Sequence, residues 1–284
     1  MTREEFAALC AGKPVLLDGA TGSNLLLRGR PRGGCAEQWV LDHPEVLIGL
    51  QREYVQAGSQ ILYAPTFGAN RVALGMYGLE KDLAPMNRDL VALSRQAAEG
   101  KAYVAGDMTT VGKPMDYGEL MDLYSEQAQA LLTAGVDLFV IETMMGVEET
   151  QAALEAVRML CDLPVICSLS FAADGQTFFG GSAVDAAQIL EALEADAVGV
   201  NCSVGPDQME AMIRTMAENT SLPIVAKPNA GMPEILADGS VQYSMDADHF
   251  AAAMGGLICA GAKLIGGCCG TTPEFIAKLK QRYC

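Results

Sequence analysis

The strongest constraint on the fold is a rhythm that repeats eight times along the chain. A short apolar run ends near a polar residue and is followed by apolar residues at helical spacing. The runs fall at 15–18, 60–67, 102–107, 137–142, 164–171, 197–202, 223–229 and 263–268. Helices are predicted at 44–57, 85–99, 118–134, 147–161, 183–194, 206–219, 246–260 and 273–282. Because alternating strands and helices form parallel sheets with helical crossovers, the sequence predicts an α/β fold, a (β/α)₈ TIM barrel.

The chain length agrees with one such barrel. The sequence has 284 residues, and (β/α)₈ barrels typically have about 250. We therefore expect a single domain over residues 1–284. The alternative is an open, doubly wound sheet, but no GxGxxG motif follows the first apolar run, which weakens that interpretation.

Charge and cysteine usage limit the classes of partner. The chain has 35 acidic and 19 basic residues, for a net charge of -16, so nucleic acid and anionic membranes are not expected as partners. No apolar run reaches the ~18 residues of a membrane span, and the N-terminal residues do not resemble a signal peptide. Nine scattered cysteines do not form a disulfide framework. A reducing, cytoplasmic location is the expectation.

Thiols are concentrated where a barrel carries its active site, at the C-terminal ends of the strands. Cys202 ends the sixth apolar run, Cys268 ends the eighth, and Cys269 follows it. Three thiolates around Zn²⁺ leave a fourth, open coordination position, which is typical of a catalytic site. Sulfur ligands also suit copper(I) or an iron–sulfur cluster. A redox-active vicinal dithiol and ordinary buried cysteines remain as alternatives.

A zinc ion with three thiolates has a net negative charge and is poorly suited to generating hydroxide. It can instead hold a substrate thiol as a thiolate at neutral pH, which indicates alkyl transfer to sulfur. Asp18 and Glu142, also at strand ends, are candidates for binding a substrate ammonium group; a helix cap or an ion pair is the alternative for each. Lys227 at the seventh strand end suggests a different reaction, a Schiff-base aldolase.

Five segments resemble the homocysteine S-methyltransferase family, and in particular the homocysteine-binding module of cobalamin-dependent methionine synthase. They are Asp18-Gly-Ala-Thr-Gly22, Glu142-Thr143, Gly199-Val-Asn-Cys-Ser-Val-Gly-Pro206, Lys227-Pro-Asn-Ala-Gly231 and Gly266-Gly-Cys-Cys-Gly-Thr-Thr-Pro273. The resemblance covers nearly the whole chain, and the two cysteine motifs in this order are specific to the family.

The resemblance implies a (β/α)₈ barrel with one zinc ion held by Cys202, Cys268 and Cys269. It implies that L-homocysteine provides the fourth ligand through its sulfur. It also implies that an asparagine, for which Asn229 is the candidate, occupies the open position of the zinc when the substrate is absent.

For the rest of the substrate, the resemblance implies that Asp18 and Glu142 hold the amino group. Backbone amides near Gly19 and Ala20 would meet the carboxylate. The expected reaction is zinc-dependent methyl transfer to L-homocysteine, giving methionine.

The methyl donor stays open at this stage. The betaine-using branch of the family has a tyrosine after the glutamate and a long C-terminal segment, whereas Thr143 follows Glu142 here. Betaine is therefore disfavoured. The remaining options are methylcobalamin supplied in trans by a separate protein and a small donor such as S-methylmethionine. The chain could also be a fragment of a larger methionine synthase, or a homocysteine-binding module that is inactive alone.

Overall fold

Ten short strands organise the structure. It is a computed structural model that describes residues 1–172, 175–235 and 241–284. The strands are β1 (Val15–Leu16), β2 (Ile61–Tyr63), β3 (Tyr103–Thr109), β4 (Leu138–Met144), β5 (Val165–Leu169), β6 (Ala197–Asn201), β7 (Ile224–Lys227), β8 (Pro233–Ile235), β9 (Val241–Tyr243) and β10 (Ala262–Ile265). Eight of them form one parallel sheet in the order β1-β10-β7-β6-β5-β4-β3-β2, and β8 and β9 form a separate antiparallel hairpin.

The two edges of this sheet meet, so the sheet closes into a barrel. The backbone amide of Gln60, just before β2, donates to the carbonyl of Leu16 in β1 over 2.7 Å. At the other end of the seam, the amide of Tyr63 donates to Asp18 Oδ2 over 2.8 Å. The predicted (β/α)₈ barrel is confirmed, and the open doubly wound alternative is wrong.

Helices surround the barrel. They are α1 (Arg3–Ala11), α2 (Gly22–Leu27), α3 (Ala36–Asp42), α4 (Pro44–Ala57), α5 (Arg71–Gly75), α6 (Leu83–Ala98), α7 (Tyr117–Ala134), α8 (Val147–Arg158), α9 (Ala183–Ala192), α10 (Pro206–Ala217), α11 (Ala247–Cys259) and α12 (Pro273–Tyr283). All eight predicted helices are present, with small shifts at their ends. The sequence prediction missed α1 and the short helices α2, α3 and α5. Within the described ranges, no helix has the length and apolar character needed to cross a membrane.

The core has two parts, one inside the barrel and one between the sheet and the helices. Inside the barrel, alternate strand residues such as Val140, Ile166 and Val225 pack together. Phe6 and Cys10 of α1 belong to the same cluster. Helix α1 therefore covers the N-terminal end of the barrel, which leaves the C-terminal end for the polar residues of the site.

Several strands end earlier than predicted, and proline explains two cases. The run at 60–67 was predicted as one strand, but β2 ends at Tyr63, two residues before Pro65. The run at 223–229 ends as β7 at Lys227, directly before Pro228. Proline has no amide hydrogen to donate to a neighbouring strand, so pairing stops near it and the chain turns into a loop.

A methyl group at Gly199 in β6 should disrupt the sheet. A Cβ atom there would lie 2.1 Å from the carbonyl oxygen of Val225 in β7, a backbone atom that cannot move aside. We expect Gly199→Ala to lower the free energy of unfolding by about 3 kcal/mol, measured by urea denaturation. Gly12→Ala is the matched control, because a Cβ there meets no atom within 4 Å. Equal stability of the two variants would contradict this account.

Candidate active site

The three thiols predicted to bind metal come together at the C-terminal end of the barrel. Cys202 follows β6 directly, and Cys268 and Cys269 follow β10 after two glycines. Strand β7 is the only strand between β6 and β10 in the order of the described sheet. The three Sγ atoms lie within 4.8 Å of one another, and those of Cys202 and Cys269 are 3.5 Å apart.

This arrangement fits a tetrahedral zinc ion. With Zn–S bonds of about 2.3 Å, two sulfur ligands of such an ion are separated by about 3.8 Å, which is within the observed spread. All nine cysteines are free thiols, so no disulfide competes for these sulfurs. Hydrogen bonds from Cys202 and then from Cys268 lower the pKa of Cys269 to about 3. The pKa values of Cys202 and Cys268 are raised in the same cluster, so the negative charge lies on Cys269, and a divalent cation would neutralise it.

The loop after β7 fixes the two adjacent cysteines. The amide of Cys268 donates to the carbonyl of Pro228 over 2.7 Å, and the amide of Ala230 donates to the carbonyl of Cys269 over 2.9 Å. Gly270 has a φ of +83°, and a Cβ there would lie 2.3 Å from the ring of Tyr243. Tyr243, at the end of β9, thus packs against the cysteine loop, where only glycine leaves it room.

Two residues at strand ends have a left-handed backbone. Cys202 has a φ of +52° and Thr143 a φ of +57°, a conformation that costs about 1–3 kcal/mol for residues other than glycine. The amide of Cys202 donates to the carbonyl of Lys227 over 3.2 Å. The amide of Thr143 donates to Asn201 Oδ1 over 2.9 Å. These bonds offset the strain and hold both turns next to the cavity.

A cavity of about 290 Å³ lies beside the thiols and is strongly acidic. The three cysteines line it together with the carboxylates of Asp18, Glu37, Asp107 and Glu142 and the ammonium group of Lys227. Four acids face one base, and burial raises the pKa of Asp18, Asp107 and Glu142, so their ionised forms are unfavourable unless positive charge lies nearby. A ligand that brings a positive charge is therefore favoured here.

The ammonium group of Lys227 lies between two of these carboxylates. Its Nζ is 2.9 Å from Asp18 Oδ1 and 3.9 Å from Glu142 Oε2, and it lies 3.5 Å above the centre of the Tyr63 ring. Burial by itself would lower the pKa of Lys227, but attraction to Asp18 and then to Glu142 outweighs it. The pKa is raised well above its ordinary value, so the side chain is a cation and not a free amine.

Asn201 at the end of β6 orients Glu142. Its Nδ2 donates to Thr143 Oγ1 over 2.8 Å and to Glu142 Oε2 over 3.4 Å. Its Oδ1 accepts from the Ser168 hydroxyl over 2.9 Å as well as from the Thr143 amide. The buried amide is thus fully used, and one oxygen of Glu142 is held in place while the carboxylate faces the cavity.

The remaining residues that the sequence suggested for substrate or zinc binding lie close to the thiols. They differ in how many of their hydrogen-bonding groups are already in use. Within the described ranges, the Gly19 amide makes no hydrogen bond, whereas the Ala20 amide already donates to Thr271 Oγ1 over 3.1 Å. Asn229 is buried, its amide donates to the carbonyl of Val204, and its Oδ1 has no partner among the described residues. Asn229 does not line the cavity, so its role as a zinc ligand stays a prediction.

Sequence reasoning assigned no role to Asn201, Asp107 or Tyr243. Asn201 and Asp107 stand near the ends of predicted strands. This position was the feature of the sequence that could have suggested a role in the site. Which side chain each would contact depends on the register between strands, and a single sequence does not reveal it. Tyr243 belongs to the β8–β9 hairpin, which gave no recognisable strand pattern.

A family model described as homocysteine S-methyltransferase matches residues 15–283. The chain belongs to the homocysteine S-methyltransferase family. The match covers every strand of the barrel and all three thiols, so the resemblance stated from the motifs is confirmed.

Relatives in this family include bacterial methionine synthases. Those of Mycobacterium tuberculosis and Mycobacterium leprae are 31% and 30% identical over 92% and 95% of this chain. The chain spans about a quarter of their length, 24% in each case.

A solved structure of similar size also matches. The metallated form of the homocysteine methyltransferase MmuM from Escherichia coli superposes with a TM-score of 0.84 at 25% identity. The match covers 97% of this chain and 98% of that one. The oxidised form of the same protein gives a TM-score of 0.83 and covers 98% of both chains. The structure that matches this fold is thus of similar length to this chain, whereas the methionine synthases that match its sequence are about four times as long.

Removing the charge of Asp18 should destabilise the folded protein. Asp18→Asn keeps an oxygen for the Tyr63 amide but leaves the buried Lys227 ammonium with only Glu142, 3.9 Å away. We expect the free energy of unfolding to fall by about 3 kcal/mol, measured in urea. Glu210→Gln is the control, because it removes an ion pair with Arg214 that is half exposed on each side and is worth less than about 0.5 kcal/mol. A similar small loss in both variants would refute the structural role of Asp18.

Proposed function

We propose that this protein is a zinc-dependent methyltransferase that transfers a methyl group to the sulfur of L-homocysteine and forms methionine. The main support is the cluster of Cys202, Cys268 and Cys269, which line a cavity rich in acidic residues in a chain of this family. Three soft ligands beside a cavity suit a metal that must bind one more sulfur.

Different residues of this chain would bind the zinc ion, the substrate carboxylate and the substrate ammonium group. Cys202, Cys268 and Cys269 would hold the zinc ion and leave its fourth position toward the cavity. When bound, zinc supplies positive charge that lowers the pKa of the homocysteine thiol, so that the sulfur is a strong nucleophile at neutral pH. The unpaired Gly19 amide can donate to the substrate carboxylate, and the acidic residues of the cavity attract the substrate ammonium group.

The cavity also fixes the geometry of the reaction. Asp107, Glu142 and Lys227 line it as buried side chains on strands of the barrel, so this part of its wall moves little when substrate binds. A homocysteine held at both its sulfur and its amino acid group can present the sulfur in one direction only. Such positioning lowers the barrier to displacement at a methyl carbon, since less entropy is lost in reaching the transition state.

A second candidate function is a homocysteine-binding module that is inactive alone. The observation that favours it is the length of the methionine synthases, of which this chain spans about a quarter. In this case a separate protein would bring methylcobalamin to the cavity. The zinc site and the bound amino acid would be the same in both functions.

The Schiff-base aldolase alternative has little support in the geometry. A lysine that attacks a carbonyl must reach its neutral form. Lys227 is instead buried against Asp18 as a cation with a raised pKa. Its role here is to balance the charge of the carboxylates around it.

Loss of one thiol should remove both metal and activity. Purified without chelator, the protein should contain one zinc ion per chain, and Cys269→Ser should contain almost none, because two thiolates hold zinc far more weakly than three. Cys259→Ser is the matched control, since Cys259 is an exposed free thiol at the end of α11, and it should retain both zinc and turnover. Zinc by metal analysis and methionine formation are the two measurements. Full activity in Cys269→Ser would disprove the proposal.

A panel of donors separates the two candidate functions. If the protein is a complete enzyme, zinc-loaded protein with L-homocysteine and S-methylmethionine should form methionine with no other protein present. If it is a module, turnover should appear only when a methylcobalamin-binding protein is added. Methionine is measured by chromatography, and the Cys269→Ser variant gives the background in both arms.

A further inference from the structure

Two segments that are distant in sequence are bonded to each other beside the cavity. Residues 18–24 follow β1, and residues 266–271 follow β10 and include two of the three clustered thiols. Hydrogen bonds between the segments join Gly267 to Asp18, Ala20 to Thr271, Asn24 to Thr271 and Gly270 to Ser23. The two segments therefore form one unit, although about 240 positions of sequence separate them.

The buried side chain of Asn24 bridges the two segments. Asn24 is 4% exposed, and its Nδ2 donates to the carbonyl of Ala20 over 2.7 Å and to the carbonyl of Thr271 over 2.8 Å. Because the two carbonyls belong to different segments, one amide group limits how far the segments can separate. The hydroxyl of Tyr54 in α4 donates to the same carbonyl of Ala20 over 2.8 Å, which holds the bridge against the barrel.

Thr271 extends this constraint to the thiols. Its buried hydroxyl donates to the carbonyl of Cys268 over 2.7 Å and accepts from the amide of Ala20 over 3.1 Å. The segments also cannot move closer together. A Cβ atom at Gly19 would lie 2.9 Å from Thr271 Oγ1, and one at Gly267 would overlap the same side chain. Hydrogen bonds set the upper limit of the spacing, and atomic contact sets the lower limit.

Under the proposed function, the two segments hold opposite ends of the substrate. The carboxylate would bind the Gly19 amide, which makes no hydrogen bond within the described ranges. The sulfur would lie at the zinc ion, which Cys268 and Cys269 help to hold. A fixed spacing between the segments then selects the length of the carbon chain. L-Cysteine has one methylene fewer than L-homocysteine, so a cysteine bound through its sulfur would leave the Gly19 amide without a partner.

We infer that Asn24 is a positioning residue that sets the length of the amino acid thiol that this site accepts. The inference rests on the proposed function and makes it more specific, because it assigns the choice between homocysteine and its shorter homologue to one buried amide. Asn24 does not line the cavity. It acts through Ala20 and Thr271, and not through contact with the substrate.

L-Homocysteine and L-cysteine, which differ by one methylene, test this assignment. Their dissociation constants are measured by calorimetry on zinc-loaded protein without a methyl donor, and the zinc content is measured again after each titration. We expect wild type to bind cysteine about 30-fold more weakly than homocysteine. Asn24→Leu is similar in size and removes both bonds. It should weaken homocysteine about tenfold and cysteine less than about threefold, since only homocysteine reaches both segments.

Asn87→Leu is the matched control. Asn87 in α6 is fully buried, and its Nδ2 donates to the carbonyls of Ala69 and Leu83 over 2.8 Å each. Neither carbonyl belongs to a residue that lines the cavity. Both asparagine variants should shift the urea midpoint of the metal-free protein by similar amounts, because each loses two buried bonds. The control should nevertheless keep the ratio of the two dissociation constants within about twofold of wild type.

A second variant covers the case in which Asn24→Leu does not fold or does not retain zinc. Thr271→Val keeps the shape of the side chain and removes the hydroxyl that joins Ala20 to Cys268. It should reduce the ratio of the cysteine and homocysteine constants in the same way, because it loosens the same pair of segments.

The outcomes separate this inference from the proposed function. A reduced ratio in Asn24→Leu, with the ratio of Asn87→Leu unchanged, supports the positioning role. The inference is overturned, while the zinc–thiol function stands, if wild type does not discriminate between the two thiols, if Asn24→Leu weakens both equally, or if both asparagine variants change the ratio alike. Wild type that binds neither thiol, with zinc present, overturns both.

Discussion

The carboxylate of Asp18 joins three strands, and the site depends on that junction. The residue follows β1, its Oδ2 accepts from the Tyr63 amide in β2, and its Oδ1 binds Lys227 at the end of β7. A charge buried this deeply is tolerated only with a close partner, so each group requires the other. The junction closes the barrel seam and at the same time fixes the one cation of the acidic cavity. Glu142 then lies within 3.9 Å of that cation.

The three thiols depend on the same part of the barrel. Cys202 is placed by a bond from its amide to the carbonyl of Lys227, and Cys268 by a bond from its amide to the carbonyl of Pro228, one residue further. The backbone at the end of β7 therefore holds thiols from β6 and β10 on its two sides. The side chain of Lys227, at the same strand end, balances the negative charge of the acidic residues around it. The thiol cluster and the acidic cavity are thus built on one strand end, which explains why the turn at Cys202 keeps a strained backbone.

The sequence was sufficient to predict the features that follow from the order of the barrel strands along the chain. Eight apolar runs predicted the barrel. Because the strands of such a barrel are parallel, this prediction also placed Cys202 and Cys268 at the same end of the barrel. The sequence was insufficient for contacts between side chains distant in sequence. Asp18 and Lys227 were both noticed, yet 209 positions separate them, and nothing local shows that they form an ion pair. For the same reason, the sequence did not show which side chains lie near Asp107, because that depends on the register of β3 with β4.

Under the proposed function, the distribution of charge in the cavity favours one orientation of the amino acid substrate. Asp107 and Glu142 stand on β3 and β4, whereas the amide of Gly19, which has no partner among the described residues, stands on the loop after β1. A substrate turned the other way would put its carboxylate against two buried carboxylates and leave its ammonium group against an amide hydrogen. Both contacts are repulsive in a region with little water to screen them. Under the proposed function, the acids would therefore exclude the wrong orientation as much as they attract the right one, and the sulfur would face Cys202, Cys268 and Cys269.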